Sequence, residues 1–564
     1  MSENPVSRGG GSEYVYDALV DAGVGVLVGL PGTQTLPLDQ TVASRDEITY
    51  VMARHETAIP HVAWGYYEAS GCVAATLTVP GPGDTNAAHG LKNAYDDNVP
   101  ILHVSPVADP AEFGNHPIHE LEHETFDHVV KANLTVSNPT RLREVVARGV
   151  ETALSAPYGP VRLGIPSSFL AQPVSAPAAA VTPERTTYDA APACDAAADL
   201  LAGARRPLLY VGGGVRRSAD GPDATADLAD ELDAPVVCSY KGKGAFSEDD
   251  DRFLGVTGGD LPAGAVAALE AADVVVALGT DFDGPNTADW SLPMGDALVH
   301  VDIDPAETDR GYDADIAVIA DVGRACEEVA DRLADRAVAP TWDGGRIGSA
   351  VRNEYAKQLT KRNLLGQEHP LTTPTVLRAV RETMPSDTVV TTDIGGHRIW
   401  IKNAFPVTER REFVTPGSWA GMGVGVPSAI GAKLARPDRP VCTLVGDGCL
   451  LMTAQELHTA ADEDLDLTAV VFNDADYSVI SKSPELDTEN GDHRFDWESP
   501  DWVAIAEGFG CRARHVETRT DLVTALEWSL DVDGPTLVDV AIDPDEPRAV
   551  EVADYDTEID PTSY

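Results

Sequence analysis

Two carboxylate-bearing turns follow apolar runs in the last third of the chain. Gly446-Asp447-Gly448 comes directly after the run 441–445, and Asn473-Asp474-Ala475-Asp476-Tyr477 comes directly after the run 468–472. Runs this rich in Val, Leu and Phe read as buried parallel strands, so both turns stand at carboxyl ends of strands, where doubly wound sheets hold their ligands. Hard oxygen donors on two successive strand ends suit Mg²⁺ shared with a diphosphate. The flanking glycines let backbone approach a phosphate closely. In so acidic and glycine-rich a chain, Gly-Asp-Gly by itself also arises by chance.

Four further segments carry candidate groups. Gly421-Met422-Gly423-Val424-Gly425-Val426-Pro427 runs into a helical pattern. Glycines at a helix start make an anion-receptive end, or simply allow close helix–strand packing. Asp393-Ile394-Gly395-Gly396-His397 follows the run 388–392; a lone histidine there is more often a structural donor. Arg54-His55-Glu56-Thr57-Ala58 opens a helical stretch through Trp64-Gly65-Tyr66, where a glutamate ordinarily complements the helix dipole. Val79-Pro80-Gly81-Pro82-Gly83-Asp84-Thr85-Asn86 is a turn between a strand and a helix, as readily structural as functional.

The elements that must position these groups alternate along the whole chain. Strands are expected at 207–211, 273–278, 298–303, 388–392, 441–445, 468–472 and 536–542, with Ala-rich helices such as 428–435 and 455–461 among them. Stretches 171–195 and 336–350 read as linkers. They leave an N-terminal domain at 1–170, a middle domain at 196–335 and a C-terminal domain at 351–545. The fold class is α/β, with three doubly wound parallel-sheet domains, and 564 residues suit about three or four domains.

The charge balance narrows the setting. There are 91 acidic and 41 basic residues, a net charge of −50, and the acids are dispersed rather than gathered in one tail. Such self-repulsion opposes a compact state in dilute buffer, but at molar salt the Debye length falls to ~3 Å. The surface therefore reads as that of a halophile. Nucleic acid binding, which needs clustered Lys and Arg, is not expected. Seven scattered cysteines form no C-x-x-C pair, so neither a disulfide framework nor a zinc site is expected. The polar segment 1–12 lacks a signal-peptide core, and no apolar run reaches the ~18 residues of a membrane span. The cytoplasm is the expected location.

In their order and spacing these pieces resemble the thiamine-diphosphate enzyme superfamily, and its acetolactate synthase branch most closely. The resemblance covers nearly the whole chain: 26–38, 54–71, 80–104, 207–257, 298–305, 393–400, 421–435 and 446–477. It implies a pyrimidine-binding N-terminal domain, a middle domain and a diphosphate-binding C-terminal domain. It also implies a small-molecule 2-oxoacid substrate, and a homodimer or homotetramer with the cofactor held between subunits. Glu56 would hold and release a proton at the aminopyrimidine ring, aided by a setting that raises its pKa. Met422 occupies the place of the apolar wedge that bends the cofactor. Asp447, the side chain of Asp474 and the carbonyl of Asp476 would hold Mg²⁺, with Asp474 standing where the family usually has Asn. Gly395, Gly396, His397, Gly448, Cys449 and Tyr477 would meet the cofactor from the C-terminal domain, and Gly32, Pro82 and Asn86 from the N-terminal one.

Some family features are missing. Pyruvate decarboxylase-like enzymes carry a second glutamate where this chain has Ile480, and acetolactate synthases carry a tryptophan within a Q-W-Q stretch where it has Ser481-Lys482-Ser483. Ile118-His119-Glu120 replaces an F-Q-E segment, and His116, His119 and His123 are either proton donors in the pocket or a solvated cluster. The turn 279–286 lacks the arginines that would accompany FAD, which counts against that cofactor. Gly212-Gly213-Gly214 is explained equally by nucleotide binding and by tight packing. The expected activity is decarboxylation of a 2-oxoacid with carboligation to a second carbonyl. The alternative is a non-ligating decarboxylase of the benzoylformate type.

Overall fold

The computed structural model describes residues 9–173, 189–486 and 494–564. Most of the first expected linker, 171–195, lies outside them. Three six-stranded sheets account for the fold, and every strand pairing in them is parallel. The N-terminal sheet comprises Val26–Gly29, Thr49–Met52, Ala74–Leu77, Ile101–Val107, Ala132–Thr135 and Val161–Pro166, in the spatial order 2-1-3-4-6-5. The C-terminal sheet repeats that order with Val389–Thr392, Phe413–Val414, Val441–Gly446, Leu467–Asn473, Arg512–Val516 and Thr536–Ala541. Between them, Pro207–Val211, Val236–Cys238, Phe253–Val256, Val274–Leu278, Ala297–Asp302 and Ile316–Ile319 take the order 3-2-1-4-5-6, that of the dinucleotide-binding doubly wound fold.

The central strands are buried on both faces. Val26–Gly29, Ala74–Leu77, Pro207–Val211, Val274–Leu278 and Val389–Thr392 have every residue out of water. Such strands need helices on both sides, which the alternating sequence supplies. Register then places the carboxylate turns together. Gly446 lies opposite Phe472, so Asp447 and Asp474 emerge from neighbouring strand ends.

The N- and C-terminal sheets are joined by two helices, Ala58–Ser70 and Gly425–Ala435. Their backbones nearly touch. A Cβ on Gly65 would come within 2.4 Å of the Ser428 carbonyl oxygen, and one on Gly431 within 2.0 Å of the Val62 carbonyl oxygen. Ile59, Val62 and Trp64 share one apolar cluster with Val426, Ile430 and Leu450.

The second expected linker, 336–350, is a linker only in its first half. A helix, Gly344–Lys361, starts inside it, where the Asp343 side chain accepts the Arg346 N–H at 2.9 Å. This helix packs on the edge of the middle sheet, with Arg352 bonded to the Phe253 carbonyl at 2.5 Å. Two glycines and a short apolar spacing hid the helix in the sequence; the Asp343 cap is the signal that marks it.

Adding one methyl group at the helix crossing should loosen the whole assembly. Gly431→Ala is expected to lower unfolding free energy by about 1–3 kcal/mol, read from the denaturant midpoint. Gly508→Ala, with open space around its Cβ, should leave the midpoint within about 0.5 kcal/mol of the parent.

Candidate active site

The carboxyl end of the N-terminal sheet gathers Gly32, Glu56, Pro82 and Asn86. Glu56 sits in the turn after Thr49–Met52, just ahead of the helix Ala58–Ser70 rather than inside it. Asn86 donates its amide to Glu56 Oε2 at 3.1 Å, and Thr57 Oγ1 bonds the Asn86 carbonyl at 3.1 Å. Glycine at 83 makes room: a Cβ there would lie 3.2 Å from Glu56 Oε1. Pro82 opens the helix Pro82–Asp96, where its missing N–H costs nothing. That helix is anchored by Asp84, a fully buried carboxylate that bonds His103 Nε2 at 2.9 Å and Arg162 at 2.9 and 2.6 Å. Gly32 is pinned by Thr35, whose hydroxyl takes the Gly32 N–H at 2.9 Å, and a Cβ there would strike Val79.

The C-terminal half is organised by Asp393, which sequence reasoning did not assign a role. This buried carboxylate accepts the N–H groups of Ile394 at 2.8 Å, Gly423 at 3.0 Å and Gly425 at 2.7 Å. The N–H groups at the start of the helix Gly425–Ala435 are therefore taken up by a side chain of the protein, the Asp393 carboxyl, whose pKa burial raises. The bond also fixes the loop carrying Met422, which packs beside the apolar cluster shared by both sheets. An aspartate at a strand end before two glycines was the available signal.

Beyond Asp393 the chain turns sharply. Gly395 has φ +132° and caps the helix Gly396–Ala404. His397 is buried with its ring stacked on Phe472 at 5.1 Å and 12°, and its Nε2 has no hydrogen-bond partner among the described residues. Burial pushes the imidazole down to about 4, so it is neutral near pH 7.

Asp447 and Asp474 stand at adjacent strand ends. Asp447 accepts the N–H of Gly448 at 2.9 Å and of Ala475 at 3.0 Å. Its carboxyl is pushed up to about 7, first by burial and then by Asp474. Burial also raises Asp474, against a hydrogen bond from Ser478. Asp476 bonds Ser481 through one oxygen, and its other oxygen is buried without a partner among the described residues. A cation placed here would relieve all three. Among the described residues no three His, Cys, Asp or Glu side chains are arranged to hold a metal by themselves; backbone carbonyls or a bound oxyanion would have to complete the coordination of such a cation. A diphosphate is such an oxyanion. Cys449 donates its thiol to the Ile394 carbonyl at 3.1 Å, and Tyr477 covers Gly448, whose Cβ would come within 2.7 Å of the ring. Trp497, another residue missed, tilts against Tyr477 at 4.8 Å.

One clamp ties the two halves. Glu456, buried in the C-terminal domain, accepts the N–H of Arg54, two residues before Glu56, at 3.2 Å to each oxygen. Nothing local in the sequence marks it. The histidine loop divides: His119 lies against Gly81, with its Nδ1 3.4 Å from Gln34 Nε2, while His116 is solvated and His123 stacks on Phe113. A cavity of about 400 Å³ opens beside Gly396, Ser478 and Val479, with Arg398, Trp400 and Lys482 in its wall. In the middle domain the turn Gly212–Gly214 is closed against Gly279, whose carbonyl oxygen would lie 2.1 Å from a Cβ on Gly212.

Comparisons with known proteins match this division. Residues 10–128, 194–329 and 393–540 match the families described as thiamine pyrophosphate enzyme N-terminal TPP binding domain, central domain and C-terminal TPP binding domain. An acetolactate synthase large subunit of Parasynechococcus marenigrum is 32% identical over 94% of this chain and 87% of its own length. A probable acetolactate synthase large subunit of Methanococcus aeolicus is 28% identical over 95% of this chain and 92% of its own. The large subunit of acetolactate synthase isozyme 2 of Escherichia coli is 28% identical over 94% and 95%.

The raised Asp447 pKa sets a pH dependence. The folded protein takes up a proton between about pH 4 and 7 that the unfolded chain does not hold, so ionised Asp447 opposes folding and the cost is complete above pH 7. Asp447→Asn should therefore raise the Tm of metal-free protein in chelator at pH 8 and leave it nearly unchanged at pH 4. An unchanged Tm at pH 8 would show that the ionised carboxylate is already compensated.

Proposed function

The chain belongs to the thiamine pyrophosphate enzymes, and on that premise we propose that it decarboxylates a 2-oxoacid and joins the retained fragment to a second carbonyl. The observation that carries this reading is the pair of half-sites: Glu56 with Asn86 on one sheet, and Asp447 with Asp474 on the other. When bound, thiamine diphosphate supplies a nucleophilic carbon and a sink for the electrons released with CO₂.

The protein's own residues have separable tasks. Asn86 holds Glu56 Oε2, leaving Oε1 to exchange a proton with the pyrimidine nitrogen. Met422, fixed through Asp393, presents an apolar thioether to the cofactor. Asp447, the Asp474 side chain and the Asp476 carbonyl hold Mg²⁺. His397, with its free Nε2, and the backbone of Gly395, Gly396, Gly448 and Cys449 face the diphosphate, with Tyr477 at the edge. Gly32 and Pro82 leave room for the pyrimidine ring.

The active site is proposed to lie between subunits of a homodimer or homotetramer. Each half-site is bordered by large exposed apolar side chains. Leu36, Met52 and Ile118 stand near the Glu56 end; Leu451, Met452, Val479 and Ile480 stand near Asp447. Such surface is what an interface buries. The dispersed acidic surface supports a cytoplasm at molar salt, and among the described residues no helix is long and apolar enough to cross a membrane.

A non-ligating decarboxylase remains the second reading. Ser481 is tied to Asp476 and Lys482 Nζ to the Glu546 carbonyl at 3.0 Å, so no aromatic side chain from 481–483 is there to select an acceptor.

The test is product analysis by NMR in molar KCl with thiamine diphosphate and Mg²⁺, against pyruvate and other 2-oxoacids. A hydroxyketone or acetohydroxyacid is expected; aldehyde alone would establish the second reading. Glu56→Gln should lower kcat by about 10²–10⁴ with an unchanged Tm, and near-normal turnover would remove Glu56 from the mechanism.

A further inference from the structure

At the other end of the helix Ala58–Ser70 from Glu56, the three domains meet around a knot of buried charge. Glu68 comes from the helix Ala58–Ser70 and Asp97 from the residue after the helix Pro82–Asp96. Arg216 and Arg217 end the short helix Gly213–Arg217, and Lys241 follows the strand Val236–Cys238. Arg411 precedes the strand Phe413–Val414 of the C-terminal sheet. Four cations thus surround two carboxylates.

The carboxylates are already fully engaged. Glu68 lies 3.6 Å from Arg216, 3.1 Å from Arg217 and 3.3 Å from Lys241. Asp97 takes Lys241 at 3.1 Å and the Trp64 indole N–H at 3.0 Å. The other donors go to neutral acceptors: Arg216 to the Phe413 carbonyl at 2.6 Å, Arg411 to the Tyr67 and Glu68 carbonyls at 3.0 and 3.2 Å. The next charges outward are Asp281 beside Arg217, and Arg410 and Arg436 beside Arg411; they leave the excess positive.

Charge buried without a counter-charge is costly. Arginine cannot shed its proton in a protein, so only Lys241 could become neutral, and three guanidiniums would still face two carboxylates. The Nε atoms of Arg216 and Arg217 are both buried without a hydrogen-bond partner among the described residues, and the Arg216 side chain is 95% out of water. Both arginines, with Lys241, Arg411, Tyr67 and Glu68, line a cavity of about 10 Å³, the space in which one water-sized centre can move.

We propose that this cavity binds a single monovalent anion of chloride size, held by Arg216 and Arg217 and bracing the junction of the three domains. The space suits a halide and excludes a carboxylate as large as glutamate. Because the site exists only in the folded junction, halide binding must raise stability.

The test uses the full protein and bromide as the probe. Crystals transferred from KCl to KBr are expected to show an anomalous bromide peak within hydrogen-bonding reach of the Arg216 and Arg217 guanidiniums. At equal potassium concentration, replacing potassium glutamate by KCl or KBr should shift the parent's Tm upward by a few degrees relative to the shift in Arg217→Met, the non-specific effect of the salts being common to both. If Arg217→Met does not fold, Arg217→Lys serves, with a weakened halide increment expected. A cavity filled by water, with no anomalous signal in KBr, would overturn the proposal. So would the same Tm response to halide in the parent and in the variant.

Discussion

The contact on which the rest depends is the crossing of Ala58–Ser70 with Gly425–Ala435. Each helix continues directly from a segment that carries a candidate catalytic group: Glu56 ends two residues before the first, and Met422 three residues before the second. Glycines at 65 and 431 bring the backbones together where any side chain would collide. The position of Glu56 relative to its own sheet, and of the Met422 loop relative to its sheet, is therefore set by close packing. Packed cores deform little, so the crossing is a rigid base for the segments that continue from it.

Buried carboxylates then do two different jobs. Asp84, Asp393 and Glu456 have their oxygens taken by N–H groups or by cations of the protein, and each immobilises a segment that bears a site residue. Asp447 is also held by N–H groups, from Gly448 and Ala475, but it faces a second carboxylate, and burial together with the Asp474 charge raises its pKa. A carboxylate facing only donors is a strut; a pair of carboxylates facing each other is a place where a cation would lower the energy. The same distinction separates Glu68, surrounded by cations, from the acids of the half-site.

Much of this was legible in the sequence because it is local. The strand at 441–445 and the turn after it, the strand at 468–472 and its acidic turn, and the glycines before 428–435 all announce themselves within a dozen residues. Gly446 opposite Phe472 then follows from two parallel strands of similar length. What could not be read was long-range. Glu456 reaches Arg54 across 402 residues, and Arg216 reaches Glu68 across the boundary between domains. No periodicity encodes such contacts. The helix Gly344–Lys361 was hidden differently, by glycines at its start that lower helix propensity until tertiary packing on the middle sheet overrides it. In the loop 116–123 a single composition covers His119 at the Gly81 turn and His116 in solvent, and only the fold tells them apart.

The outer sheets share one strand order, and the candidate site residues divide between them. All strands of each outer sheet run parallel, so their carboxyl ends open on one side of the sheet, where doubly wound folds hold ligands. Glu56 and Asn86 occupy one such side; Asp447, Asp474 and His397 occupy the other. The middle sheet has the order suited to a dinucleotide, yet its first turn is closed by backbone, Gly212 on Gly279. The middle domain also contributes seams: the cavity beside Gly396 and the charged junction at Glu68 both lie where it meets a neighbour. Within one chain, the docking of the outer sheets is governed by two glycines and a knot of buried charge rather than by any of the candidate site residues, so the placement of each half-site is set by packing remote from it.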